Sequence, residues 1–413
     1  MVTDDPALRP LAGLRVLEFA SFVAGPSGGM TLGQLGADVI RLDPIGGAAD
    51  YGRWPLSQRT GRSLYWTALN KGKRSISIDV RSAEGRELIV ALATAPGPDA
   101  GIVVDNNVGR SWLSYEALSK RRADLIQVHI DGYADGRAAV DYTVNPDVGV
   151  ANMTGPADSA APVNHVLPAW DLLAGMTATT GLLAALHRRA RTGEGAFLRI
   201  ALADVAYASV ANLGWLAEAD ELGTARPRHG NHVYGSFGVD FETSDQARVM
   251  VVALTVRHWD ALRTVTDTGK VFDALEETLG ADFRAEADRY RYREIITATL
   301  RPWFAARPFA EVDRVLSEAG VLYSRFRTVH EVVTAYRAEG GPEILGEVDQ
   351  PGIGPVLSAR SPLRAGAEYG EYATAPDLGE HTDEVLAQVL GLADTELGRL
   401  HDAGVIAGSA RSH

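Results

Sequence analysis

Short apolar runs alternating with helical segments constrain the fold of this chain more than any other feature. Residues 14–19 (LRVLEF) read as a buried strand, 25–29 as a glycine-rich turn, 30–35 as the start of a helix and 37–42 as a second strand. Such a unit joins parallel strands, because a parallel pair needs a crossover longer than a hairpin. The pattern recurs with a helix at 84–93, a strand at 101–105, a helix near 115–120 and a strand at 124–130. After Asp171 come a long helix to about residue 189, a strand at 196–200 and a helix to about 218. The expected class is α/β, with a largely parallel sheet.

A chain of 413 residues exceeds what one core organises, so two domains are expected. Residues 219–231 are rich in Gly, Pro and charge and read as a linker. Beyond them a strand at 249–254 and helices at 257–265, 294–306 and 309–319 suggest a smaller α+β domain. Residues 336–377 look loop-rich, and helices near 383–390 and 394–401 close the chain. The boundaries that follow are a large domain of 1–200 plus 376–413, a linker at 201–228, a small domain at 229–330 and a returning linker at 331–375.

Composition excludes some functions. A net charge of −13 argues against a broad surface for nucleic acid or anionic lipid. The absence of cysteine removes disulfides, thiolate metal sites and cysteine nucleophiles, and fits a cytoplasmic protein. Residues 1–6 (MVTDDP) are acidic and carry no signal-peptide pattern. The most apolar stretch, 172–186, is short for a bilayer and contains Thr177, Thr179 and Thr180, so no membrane span is expected. No H-E-x-x-H spacing points to a metal, and no G-x-S-x-G elbow points to a serine hydrolase.

Asp171 is the leading candidate for chemistry. It follows Pro168 and Trp170 and stands at the mouth of an apolar helix, where a carboxylate serves as an N-cap or as a reactive group. The turn at 25–29 suits either a phosphate or a tight βα connection. The basic segment 70–74 (NKGKR) suits either phosphates or a solvated turn before an edge strand at 75–79. His165, six residues before Asp171, lines the same cleft or is a satisfied core histidine. The loop 228–235 (RHGNHVYG) closes over a ligand or merely enters the second domain.

Taken in order, the segments 11–19 (LAGLRVLEF), 24–26 (AGP), 35–40 (LGADVI), 70–75 (NKGKRS), 193–195 (GEG) and 378–386 (LGEHTDEVL) resemble the family III CoA-transferases. That family includes formyl-CoA transferase, the carnitine CoA-transferases and α-methylacyl-CoA racemase. The resemblance implies a Rossmann-like large domain, a small domain, an interlocked homodimer and an acyl-CoA substrate, with no cofactor beyond the CoA of that substrate. Asp171 falls on the family's catalytic aspartate. Ser21, Phe22, Val23, Ala24, Ile78, Arg81 and Asn106 fall on positions lining the CoA site. Asp141 matches an acidic position before the active site, and Gly230 the covering loop. His165, Arg228 and Asn231 are the candidate donors to a substrate carboxylate.

Two departures bear on the activity. The racemase branch carries a histidine where this chain has Val140, so the second base is missing. The formyl-CoA branch has His and Gln where this chain has Ser21 and Val23. The strings 28–32 (GGMTL), 41–47 (RLDPIGG), 141–146 (DYTVNP) and 163–171 (VNHVLPAWD) resemble a branch that moves CoA between the two carboxyls of one short dicarboxylate. Intermolecular transfer between two acids stays open as the alternative. A carboxylate nucleophile suits either reaction, because its mixed anhydride retains the reactivity of a thioester. Backbone N–H groups near Gly230 and at the helix start beside Asp171 are the candidate oxyanion donors.

Overall fold

A computed structural model describes residues 7–107 and 109–409. The N-terminal hexapeptide considered above for targeting lies outside them. The chain divides into two compact units: Met1–Val148, Val166–Glu218 and Gly341–His413 form the larger, Gly149–His165 and Ala219–Gly340 the smaller.

The larger unit is built on strands β1 (Arg15–Phe19), β2 (Asp38–Asp43), β3 (Arg74–Ile78), β4 (Ile102–Asp105), β5 (Ile126–Asp131) and β6 (Ala196–Ala201). They lie in the order β3-β2-β1-β4-β5-β6, all parallel. The order reverses between β1 and β4, and in open α/β sheets such a switch point opens a crevice at the carboxyl ends of the strands. One face of β1 to β3 buries the apolar Leu17, Phe19, Ile40, Leu42, Ile76 and Ile78, and the other buries Glu18, Arg41, Asp43, Ser75 and Ser77 beside Val16 and Val39. One face is covered by helices Ala83–Ala93, Thr382–Leu390 and Asp394–Asp402, whose Ile89, Val385, Leu386, Leu397 and Leu400 join Leu17, Ile40, Ile76 and Val103 in one core. Helices Ala24–Gln34 and Ala169–Thr192 pack together, and the latter lies against β5 and β6.

Several expectations need correction. The 25–29 "turn" is the first turn and a half of helix Ala24–Gln34. Its glycines signalled a break, but Pro26 is tolerated in a first helical turn, and the glycines serve close packing. Strand β3 is not an edge: Ile406–Ala407 pairs antiparallel beside it. The 201–228 linker holds helices Leu202–Asn212 and Trp215–Leu222. The 331–375 linker holds most of helix Val329–Glu339 and the hairpin Leu345–Gln350/Gly354–Ala359, where Gly352 and Gly354 mark the turn. Helix Ala169–Thr192 runs 24 residues and, alone among the described helices, is long and apolar enough to cross a membrane by length and composition. Here Ala174, Gly175, Ala178, Leu182 and Ala185 on it are buried in the unit.

The smaller unit has an antiparallel sheet of β7 (Phe237–Glu242), β8 (Arg248–Ala253) and β9 (Leu322–Arg325) in that order. Helices Val256–Val265, Arg293–Ala305 and Phe309–Ala319 supply the other side of a core rich in aromatics: Phe237, Trp259, Phe272, Phe283 and Phe304 are fully buried.

Candidate active site

Glycines bring the two helices of the larger unit together. A Cβ on Gly175 would lie 2.3 Å from Ser27 Oγ and 2.7 Å from the Ala24 carbonyl, and one on Gly28 would lie 2.9 Å from the Gly175 carbonyl. Thr179 Oγ1 donates to the Gly28 carbonyl at 3.3 Å. Ala24 thus meets Gly175 and Gly28 meets Thr179, so the helices run in the same sense and their N-termini share one end. Asp171, one turn before Gly175, stands at that end.

Asp171 is the third residue of its helix, whose N-cap is Pro168. The capping work falls to Asp141, 1% exposed, at the start of helix Asp141–Asp147. Its Oδ2 accepts the N–H groups of Trp170 at 2.7 Å and Asp171 at 3.2 Å. Trp170 is held a second time, by its indole N–H on Asn145 Oδ1 at 3.2 Å. The N–H groups of Ala169 and Leu172 bond to the carbonyls of Leu167 and Pro168. All four first-turn donors are therefore engaged, and the helix start is corrected as a source of oxyanion donors. The Asp171 carboxylate itself makes no hydrogen bond or ion pair among the described residues. Burial, with the negative charge of Asp141, pushes its pKa from 3.8 to about 7 against the pull of Arg53.

Arg53 and Tyr65 complete the surroundings. The guanidinium lies 5.5 Å from the Phe22 ring centre and 5.3 Å from that of Tyr65. It has no hydrogen-bond or ion-pair partner among the described residues. Burial raises the Tyr65 phenol to about 12, with Arg53 opposing and Asp171 adding to the shift, so it is a neutral donor at neutral pH. Neither residue was singled out from sequence, where an arginine and a tyrosine in a Gly- and Pro-rich stretch carry no periodic signal.

The loop entering helix Ala24–Gln34 is pinned at two points. The Asn106 side chain accepts the Ser21 N–H at 3.2 Å and donates to the Ser21 carbonyl at 3.1 Å. Phe22 takes a left-handed backbone, φ 70°, and its N–H reaches Asp50 Oδ2 at 2.8 Å. The amides of Val23, Ala24 and Gly25 that follow have no protein acceptor among the described residues. They form an open helix N-terminus beside Asp171, where negative charge is favoured.

The basic segment 70–74 does not face a phosphate. Lys73 is 4% exposed, and its Nζ donates to both Glu18 oxygens (2.8 and 3.0 Å), the Pro26 carbonyl (2.9 Å) and Asn70 Oδ1 (2.9 Å). Burial brings its pKa down to about 8, with Glu18 opposing. Arg74 forks onto Asp38 at 2.9 and 2.6 Å, and Lys71 donates to the Ala359 carbonyl at 2.8 Å. All three cations knit the unit internally.

The remaining expected residues fall in two places. Ser21, Phe22, Val23, Ala24 and Asn106 cluster at the carboxyl ends of β1 and β4. Ile78 ends β3 with its side chain fully buried, and Arg81 is exposed on the turn after it, bonded to Asp79. His165, Arg228, Gly230 and Asn231 belong to the smaller unit. There Arg228 donates through Nε to the Asn152 carbonyl at 2.8 Å and through Nη1 to that of Ser159, and Asn231 donates to Asp240 Oδ1 at 2.9 Å. Gly230 has φ 58°, which glycine takes without strain. The loop is anchored by His229, whose Nε2 lies 2.7 Å from the Tyr290 hydroxyl.

Known proteins resemble this chain along nearly its whole length. The chain is 50% identical over 404 residues to the 2-methylfumaryl-CoA isomerase of Chloroflexus aurantiacus, covering 97% of this chain and 99% of that one. It is 26% identical over 416 residues to the succinyl-CoA–D-citramalate CoA-transferase of the same organism, covering 96% and 98%. A crystal structure of a CAIB/BAIF family protein from Brucella suis superposes with a TM-score of 0.73 at 26% identity, covering 92% of this chain and 99% of that one. The sequence profile of CoA-transferase family III matches residues 11–382, and the chain belongs to that family.

Proposed function

We propose that this protein is a 2-methylfumaryl-CoA isomerase, also called mesaconyl-CoA C1–C4 CoA-transferase, which moves CoA between the two carboxyls of mesaconate. The observation that carries the reading is the division of labour between Asp141 and Asp171. Asp141 caps the helix, which leaves the Asp171 carboxylate uncommitted beside an unpaired arginine and an open helix N-terminus. A carboxylate so placed is suited to attack a thioester. The half-identical relative acts on this substrate by its name.

In the proposed cycle Asp171 attacks the C1 thioester carbonyl, forming a mixed anhydride and releasing CoA thiolate. The thiolate attacks the aspartyl carbonyl, which gives an aspartyl-CoA thioester and frees mesaconate. The C4 carboxylate then attacks that thioester, forming a second anhydride and thiolate. Attack of the thiolate on the C4 carbonyl yields the product and restores Asp171. The amides of Val23, Ala24 and Gly25 are proposed as oxyanion donors; one such donor is typically worth about 3 kcal/mol of barrier. Arg53 is proposed to hold the distal carboxylate. Arg228 and Asn231 are already occupied within their own unit, so they are secondary candidates with His165. CoA is proposed to lie along the carboxyl ends of β1, β3 and β4, in a Rossmann-like strand order. No other cofactor, nucleic acid or membrane is invoked.

The proposed assembly is an interlocked homodimer in the cytoplasm. Its support is exposed apolar surface: Leu173 and Met176 on the Asp171 helix are 44% and 49% exposed, and helix Trp215–Leu222 has no buried residue.

The deciding experiment supplies C1-mesaconyl-CoA alone and identifies the product regioisomer by NMR. Added labelled mesaconate should hardly enter the product. Rapid incorporation of label, or of succinate, would replace isomerisation by intermolecular transfer with Asp171 in the same role.

A further inference from the structure

Three acids and two bases are buried beneath the Phe22 loop. Lys73 pairs with Glu18, and Arg41 forks onto Asp43 through Nε and Nη2 at 3.1 and 2.9 Å while its Nη1 reaches Glu18 at 3.5 Å. Asp50 is a third acid against two cations. It is 1% exposed, and Arg41 Nη2 reaches its two oxygens at 3.1 and 3.3 Å. An acid surplus to neutrality is costly to bury, so its other contact deserves a reason. That contact is the Phe22 N–H at 2.8 Å. Phe22 is also the residue held at φ 70°, a conformation that a side chain with a Cβ resists unless its surroundings impose it.

We infer that Asp50 is a positioning residue: braced by Arg41, it holds Phe22 in the left-handed conformation that directs the amides of Val23, Ala24 and Gly25 toward Asp171. Asn106 fixes the preceding Ser21 on both sides, so the carboxylate supplies the last restraint before the helix begins. Asp50 touches no reacting atom, and its effect passes through the backbone of residue 22. The inference rests on transfer at Asp171 as proposed above.

The test compares D50A, D50N, F22G and D50A/F22G with the wild type. D50A should lower kcat about 10- to 100-fold, the scale of a misplaced reacting group, with KM for mesaconyl-CoA within about threefold. D50N keeps an oxygen for the Phe22 N–H and should keep kcat within about threefold. Glycine adopts positive φ unaided, so D50A/F22G should recover at least about fivefold over D50A. Amide exchange at residues 22–25 should quicken in D50A while that at 175–180 stays unchanged. D50S carries the same comparison if D50A does not fold. Unchanged exchange at 22–25, or a loss in D50A that F22G does not restore, overturns the inference. The exchange measurement needs no substrate, so it still decides the role of Asp50 if the wild type proves inactive on mesaconyl-CoA and the proposed function falls.

Discussion

Replacing Asp171 by asparagine should remove activity and make the protein more stable at alkaline pH. The folded state raises this carboxyl from 3.8 to about 7, first by burial and then by the charge of Asp141. A raised pKa means that the folded chain holds the proton more tightly than the unfolded one. Stability from this group is therefore full below about pH 4 and is lost as pH rises through 7. Above pH 8 the ionised carboxylate costs the whole difference, about 4 kcal/mol at most and about 2 after allowance for partial solvent access. Asparagine has the same shape and no charge, and no hydrogen bond of the carboxylate among the described residues is lost with it. D171N should thus melt about 2 to 4 °C above the wild type at pH 8.5. The gap should fall to less than half at pH 5 and close only below about pH 4, where the carboxyl is protonated in the unfolded chain as well. Thermal unfolding of both proteins across pH 5 to 9 makes the comparison. A difference that does not vary with pH, or a D171N protein less stable at pH 8.5, would refute the electrostatic account of the site.

Other expectations can be checked alongside. The rate should rise with pH through an acid limb near 7; D141N removes one cause of the raised pKa and should move that limb to lower pH, whereas D141A leaves two helix N–H groups unpaired and should cost about 1 to 3 kcal/mol in denaturant unfolding. K73M leaves Glu18 with only the longer contact to Arg41 Nη1 at 3.5 Å and should destabilise by about 3 kcal/mol; if it instead weakens CoA binding without loss of stability, the buried assignment of Lys73 fails. G175A drives a methyl into Ser27 and the Ala24 carbonyl and should cost about 1 to 3 kcal/mol with a drop in kcat; a neutral outcome would show that the two helices have slack. Sedimentation at micromolar concentration should give a dimer that does not separate on dilution, and a monomer would count against the interlocked assembly.

Much of this architecture is legible from period alone. Strands β1, β2, β4, β5 and β6 start within two residues of where the apolar runs place them, and helix Phe309–Ala319 matches the expected span, because packing enforces what the pattern suggests. Sequence reasoning stops where a residue answers to a distant partner. Glycines 25, 28 and 29 look like punctuation until Ala20, Gly175 and Glu18 respectively are set against them. Lys73 looks solvated until Glu18, 55 residues away, is seen to receive it. Segment Gly149–His165 has no periodicity, and only partners such as Arg228 reveal its unit. Asp171 draws attention by its setting in the sequence, but Arg53, Tyr65 and Asp50 do not, since loops that bring charges together leave no regular spacing.

The pairing of Ile406 with Ile78 has a consequence for biosynthesis. Strand β3 leaves the ribosome well before the segment that covers its outer rim, which follows about 330 residues later. Until then a nascent chain presents unsatisfied backbone groups along a strand already flanked by its inner neighbours, which is the situation most prone to pairing with other polypeptides. The smaller unit, nearly continuous in sequence, can acquire its aromatic interior while the larger one waits for its final piece. Contacts so remote along the chain make for slow maturation. Substitutions at Ile406 and Ala407 should therefore lower expression yield and raise chaperone dependence.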